Sequence, residues 1–292
     1  MNVILLGGSS GSLVEHMSQF DVYDFLVIDN RDDIFPVDKK GKFLHEQYEE
    51  AATPERVAEL FSSIDARKPS VLIIDPSSPI SGASLAILKY MADTRMEFDV
   101  IMILPYDTYF LSKEEISHTR VTFGVIQEYS RSGLIPDVYL IDSETCVSAL
   151  TNKTLLNVDS KLAEFIGNTI HNFYYAKNSS KLRDKTIEYS EVCKIGTFGL
   201  LDFETGQVFY LFPLKAFDER CRFPIEANHH FFFTTETLNN ENMTDQLQTI
   251  LSTRKPAYDA IGYSIIETEI EQVIVVEKTS KTQTLEKLTN GN

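Results

Sequence analysis

The sequence predicts an α/β protein in three parts: a parallel-sheet, nucleotide-binding type of domain at 1–150, a central helix and connection at 151–184, and a smaller α+β domain at 185–280. A polar tail occupies 281–292. Three observations predict this plan. Strands that are nearly all apolar alternate with helical stretches up to about Ser148, the mark of a parallel sheet covered on both faces. A helical stretch of about twenty residues follows, with Leu162, Phe165, Ile166, Ile170 and Phe173 on one stripe. The last hundred residues then change to strands mixed with one helix, which suits a mixed or antiparallel sheet.

Taken in order, "NVILLG" is a buried strand and "SLVEHMSQF" has helical spacing. "YDFLVIDN" is a second strand that ends in polar Asp29 and Asn30. "ATPERVAELFSSI" is a helix announced by Thr53 as N-cap, Pro54 in the first turn and Glu55 behind it. "SVLIIDP" is the third strand, "SGASLAILKYMAD" a helix, "FDVIMILPY" the fourth strand, "KEEISHTRVTFGVIQEYSRSG" a long helix and "DVYLID" the fifth strand. Beyond the central helix, "YLFPL", "HHFFFTTET" and "EQVIVVEKTS" read as strands and "NMTDQLQTILSTR" as a helix, and the tail from Lys281 reads as loose.

The 292 residues are 43% hydrophobic and carry 27 basic against 43 acidic side chains, a formal net charge of −16. That charge opposes direct contact with nucleic acid and with anionic membranes. Cys146, Cys193 and Cys221 are odd in number and widely spaced, which suggests neither a disulfide framework nor a CxxC metal site. A reducing, cytoplasmic setting is expected, with no signal peptide and no membrane span. His229 and His230 are neighbours in a strand and so point to opposite faces, which argues against one shared metal.

The candidate chemistry lies in three short stretches. The opening "GGSSGS" places Gly7, Gly8, Ser9, Ser10, Gly11 and Ser12 between the first strand and first helix. Glycines there allow positive φ angles and close backbone approach, and hydroxyls add donors, so the stretch reads either as a phosphate cradle or as a tight turn. "PSSPISGAS" supplies Ser81, Gly82 and Ser84 before another helix. Pro79 removes a donor there and Ile80 adds bulk, so the alternative of a serine-rich N-cap stands beside phosphate contact. "KTIEYSEV" holds Glu188 and Glu191 three residues apart, fit for water positioning or for an ordinary solvated turn.

In their order, these stretches resemble the FtsZ and tubulin superfamily. "VILLGGSSGSLVEHM" resembles its first strand, first phosphate loop and first helix, with Ser12 where many members have asparagine. "VLIIDPSSPISGASLAIL" stands at its glycine-rich signature, and "LPYDTYF" looks like its loop beginning Pro-Phe. "KTIEYSEV" is similar to its Asn-x-Asp-x-x-Asp loop, with Thr186 replacing the asparagine, and "AYDAIGYSIIETEIEQVIVVEKTS" matches its closing pattern.

The resemblance implies a tubulin/FtsZ-like fold and a cytoskeletal protein that binds GTP or GDP, and it admits magnesium beside the nucleotide. It implies head-to-tail self-association into filaments and a slow, assembly-dependent GTPase. Glu188 and Glu191 would be the catalytic carboxylates, acting on the neighbouring subunit's nucleotide. Gly7 to Ser12, Asn30, Ser81, Gly82, Ser84 and Asp159 would contact that nucleotide, with Asn157 or Asp159 reading the base. The short tail is open to an adaptor. The small size and eroded motifs look more like the tubulin-like proteins of bacteriophages or plasmids, hence a bacterial cytoplasm. The alternative is a non-catalytic tubulin-fold protein that has lost its nucleotide. A Rossmann-type dinucleotide enzyme is disfavoured because the strict GxGxxG spacing is missing.

Overall fold

The computed structural model describes residues 1–7, 10–29, 41–45, 52–106, 108–217 and 222–285. It divides into two compact units, one of Met1–Gly167 with the residues after 281, the other of Asn168–Lys281. Gly8, Ser9 and Asn30 lie outside the described residues.

Among the described residues the first unit holds six parallel strands in the order β3-β2-β1-β4-β5-β6. These are β1 (Asn2–Leu6), β2 (Asp24–Asp29), β3 (Gly41–His45), β4 (Ser70–Ile74), β5 (Phe98–Leu104) and β6 (Val138–Asp142). All five residues of β1 and β4, and all seven of β5, are buried, as strands covered on both faces must be. The covering helices are α1 (Ser10–Met17), α2 (Pro54–Leu60), α3 (Ser84–Asp93) and α4 (Lys113–Arg131), followed by α5 (Ser143–Ala149).

Their starts follow the local sequence. The Thr53 hydroxyl accepts from the Arg56 N–H at 3.3 Å and Pro54 opens α2. Ser112 and Glu115 form a reciprocal capping box on α4, each side chain accepting the other's N–H at 3.2 and 2.7 Å. Asp142 closes β6 and caps α5 by accepting from the Glu144 N–H at 3.2 Å and the Thr145 hydroxyl at 2.7 Å.

The central helix α6 is Val158–Asn178, and the division between the units falls inside it. In the second unit the sheet runs β8-β12-β10-β11-β7, with β9 on β8. The strands are β7 (Arg183–Lys185), β8 (Ile195–Leu201), β9 (Val208–Tyr210), β10 (Ile225–Phe233), β11 (Ala260–Glu267) and β12 (Gln272–Thr279). β10 and β11 are parallel and the remaining pairs antiparallel, a mixed sheet. Phe231 and Phe233 join a core with Met243, Leu247 and Ile250 of α8 (Met243–Arg254). On the other face Phe232 and Phe198 meet Tyr175 and Phe173 of α6, at ring centroid distances of 6.3 and 5.1 Å.

Three local readings change. "TTET" is not strand: Thr234 caps the short helix α7 (Thr235–Leu238), accepting from the Thr237 N–H at 3.3 Å. The expected strand "YLFPL" ends at Tyr210: Leu211 still donates to Phe198 O of β8 at 2.8 Å, but the Phe212 N–H goes to the Thr197 hydroxyl at 3.1 Å instead of a main-chain carbonyl, and Pro213 has no N–H to continue the ladder. The tail is not loose at Gln283, which is 5% exposed: its N–H donates to Gln127 Oε1 at 2.7 Å and its carbonyl accepts from Gln127 Nε2 at 3.3 Å.

The second unit buries two neutral histidines. His229 Nε2 accepts from Arg254 Nε at 3.2 Å, which requires an unprotonated nitrogen. Burial, then the Arg254 charge, lowers its pKa to about 3. His230 bonds Ser264 Oγ through Nδ1 at 2.8 Å, and burial followed by Lys181 lowers its pKa to about 4. Both folded values lie below the ordinary value of 6.5, so the stability they contribute is present above pH 6.5 and is lost as pH falls toward 4 and 3. Between pH 6.5 and 5 each should remove about 2 kcal/mol. Urea unfolding across that range checks this, and His230→Asn should remove about half of the slope.

Candidate functional site

In a doubly wound sheet, ligands bind beyond the carboxyl ends of the strands where the strand order reverses. Here the reversal falls between β1 and β4, which are neighbours although β2 and β3 lie to one side and β5 and β6 to the other. The two candidate phosphate loops leave these two strands.

The first loop opens at Gly7, whose φ of +96° is in the region that side chains other than glycine rarely adopt. Its N–H donates to Ile28 O at 3.0 Å. A Cβ on Gly7 would sit 2.5 Å from Ser78 Cβ and 2.9 Å from Ser78 Oγ, so the chain leaves β1 pressed against the second loop. Ser10 and Gly11 begin α1, whose N-terminal end therefore lies at this crevice. Ser12 is exposed.

The second loop is organised by Asp75, at the end of β4. Its Oδ1 accepts from the Ser77 N–H at 2.9 Å and the Ser77 hydroxyl at 2.5 Å. Ser78 N–H bonds Asp75 O at 3.2 Å and Ser81 N–H bonds Ser78 O at 3.0 Å. A 3₁₀ turn, Pro79–Ala83, leads into α3 at Ser84, whose N–H donates to Ser81 O. Ser81 is fully buried, and its hydroxyl lies 2.9 Å from Nε2 of His118 on α4. Gly82 is half-buried and Ser84 buried. The amides of residues 77, 78, 81 and 84 are thus bonded within the turn, and Ser81 faces α4.

A third point lies past β5. Tyr106 follows that strand's carboxyl end, and its hydroxyl donates to Asp159 Oδ1 at 2.9 Å in the first turn of α6. Asn157 is tied into its own loop, with Oδ1 accepting from the Thr154 N–H at 2.7 Å. The structure thus brings Gly7, Ser10, Gly11, Ser81, Gly82 and Ser84 to the β1–β4 crevice. It sets Asp159 beside Tyr106, just past the carboxyl end of β5, the strand next to β4.

Glu188 and Glu191 lie in the second unit, in the loop after β7, with both side chains exposed. Asp75, Tyr106, His118 and Asn228 are not singled out by sequence reasoning. Of these, Asp75 has a local signal, an aspartate closing an apolar strand before Pro-Ser-Ser, the pattern of a side chain that folds back on its own turn. Among the described residues no group of three or more histidines, cysteines, aspartates or glutamates could hold a metal, and no helix is long and apolar enough to cross a membrane.

No family model and no curated protein matches this sequence. Solved structures do match in fold. CetZ from Methanosaeta thermophila superposes with a TM-score of 0.68 at 12% identity, over 99% of this chain and 88% of that one. An FtsZ dimer from M. jannaschii gives 0.66 at 10% identity, over 97% and 88%. CetZ2 from Haloferax volcanii, solved as a GTPγS-bound protofilament, gives 0.65 at 12% identity, over 98% and 96%. The chain has the tubulin/FtsZ fold.

Proposed function

We propose that this tubulin/FtsZ-fold chain is a cytoskeletal protein that binds guanine nucleotide at the β1–β4 crevice and assembles head to tail. Glu188 and Glu191 of one subunit would act on the nucleotide of the next. The observation that carries the reading is the packing of Gly7 against Asp75 and Ser78 at the reversal of strand order, beside the N-terminal end of α1. Helix N–H groups and the helix dipole favour an anion there, and only glycine leaves the backbone close enough to reach it. Asp159, held by Tyr106, is the candidate reader of the base. The solved CetZ2, a GTPγS-bound protofilament of the same fold, supports the assembly part.

A concentration series tests it. If each subunit completes its neighbour's site, GTP turnover per molecule rises steeply with protein concentration, and sedimentable polymer appears over the same range. Turnover strictly proportional to concentration, without polymer, would leave a self-contained enzyme or a contaminant.

One observation favours a second reading, a non-catalytic structural protein without nucleotide. Four amides of the second loop, those of residues 77, 78, 81 and 84, are bonded within the loop itself, and Ser81 is turned to His118. Chromatography of what the purified protein releases on heating separates the two, since guanine nucleotide supports the first and an empty protein the second.

A further inference from the structure

We infer that Asn228 is a positioning residue, a clamp that fixes the backbone of the acidic loop so that Glu188 and Glu191 are presented on a rigid base. The inference rests on the proposed role of those carboxylates. Asn228, on β10, is 4% exposed. Its Oδ1 accepts from the Ile187 N–H at 2.8 Å and its Nδ2 donates to the Ile187 carbonyl at 3.0 Å. One side chain thus pairs with both main-chain groups of a loop residue, as a neighbouring strand would.

The neighbouring strand leaves room for this. Asn228 pairs with Gly262 of β11. A Cβ at Gly262 would fall 2.4 Å from Asn228 Oδ1, 2.5 Å from Ile187 N and 2.7 Å from Lys185 O. Any side chain there would occupy the clamp itself.

Further contacts hold the loop on either side. Two residues earlier on the same face of β10, Glu226 Oε2 accepts from the Ser190 N–H at 2.7 Å. Tyr189 donates through its hydroxyl to Val276 O at 2.8 Å, and its ring lies 4.2 Å from Lys278 Nζ. Before the loop, Asp184 Oδ1 accepts from Thr186 through the N–H at 3.0 Å and the hydroxyl at 2.6 Å. Ile187, Tyr189 and Ser190 are therefore held, while Glu188 and Glu191 between and beyond them remain exposed. Holding the backbone in advance reduces the ordering that a water-positioning carboxylate must undergo at the transition state.

Hydrogen exchange of the whole chain, read with turnover, tests this on Asn228→Ala and Gly262→Ala, which break the clamp from opposite sides. In the wild type the Ile187 and Ser190 amides should exchange slowly, and both variants should expose Ile187 while β12 stays protected. Turnover should fall about 100-fold, the cost of a misplacement on the order of 1 Å, with nucleotide affinity and the onset of polymer unchanged. The double variant should be no worse than either single one, since both remove the same interaction. Fast exchange of Ile187 in the wild type would overturn the inference, as would full turnover in a variant whose Ile187 amide is exposed. If the wild type turns over no GTP, the functional reading fails, and the exchange comparison alone then upholds or overturns the clamp.

Discussion

Gly7→Val is expected to abolish guanine-nucleotide binding, with a loss of at least about 100-fold in affinity, equivalent to roughly 3 kcal/mol. Two effects act together. A non-glycine residue at a φ of +96° is strained by roughly 1–3 kcal/mol. The new Cβ would also stand 2.5 Å from Ser78 Cβ, a distance that side chains do not tolerate, so the 75–78 turn must move away from β1. Both candidate phosphate loops are displaced by one substitution. Calorimetry with GTP and GDP measures the loss. Gly124→Ala in α4, where a Cβ meets nothing within 4 Å, is the control: it should keep full affinity and gain helix stability. Unchanged affinity in Gly7→Val would remove the opening loop from the site.

The paired substitution Glu188→Ala, Glu191→Ala should lower GTP turnover by roughly ten to ten thousand fold, the range for loss of a general base. The carboxylates are exposed and lie in a different unit from the β1–β4 crevice, so each subunit's own nucleotide binding should hardly change. Filaments should still form and should last longer, because nucleotide at each contact stays unhydrolysed. If the glutamates instead make ion pairs across the contact, polymer formation itself weakens. Light scattering recorded alongside phosphate release distinguishes the two results. Normal assembly, normal disassembly and intact phosphate release together would reduce both residues to a solvated turn.

What the sequence discloses here depends on how local the cause is. β1, β4 and β5 are legible because burial on both faces demands unbroken apolar runs. β8 is not, although it pairs with both β9 and β12, because Gly196, Thr197 and Gly199 interrupt its apolar pattern. β3 escapes for a related reason: a lysine and a histidine in five residues leave only Phe43 and Leu44 as apolar signal. The acidic loop declares itself through the spacing of Glu188 and Glu191, yet the contacts that hold it come from residues 36 to 87 positions away. Ser81 shows the same limit within the first unit. A hydroxyl before a helix reads as a donor to solvent or ligand, and only the folded chain brings His118 against it.

The reciprocal pairing of Gln127 with Gln283 bears on how the protein is made. These partners are 156 residues apart, and everything that becomes the second unit is translated between them. At about 5–20 residues per second, α4 leaves the ribosome roughly 8–30 s before its partner segment is synthesised. During that interval a side chain that ends fully buried has only its local bond, Nε2 to Phe123 O at 3.0 Å, and neither bond to Gln283, so the nascent first unit must wait in an incomplete form. A ribosome stalled short of residue 283 would hold a first unit more open to protease around Gln127 than the released chain.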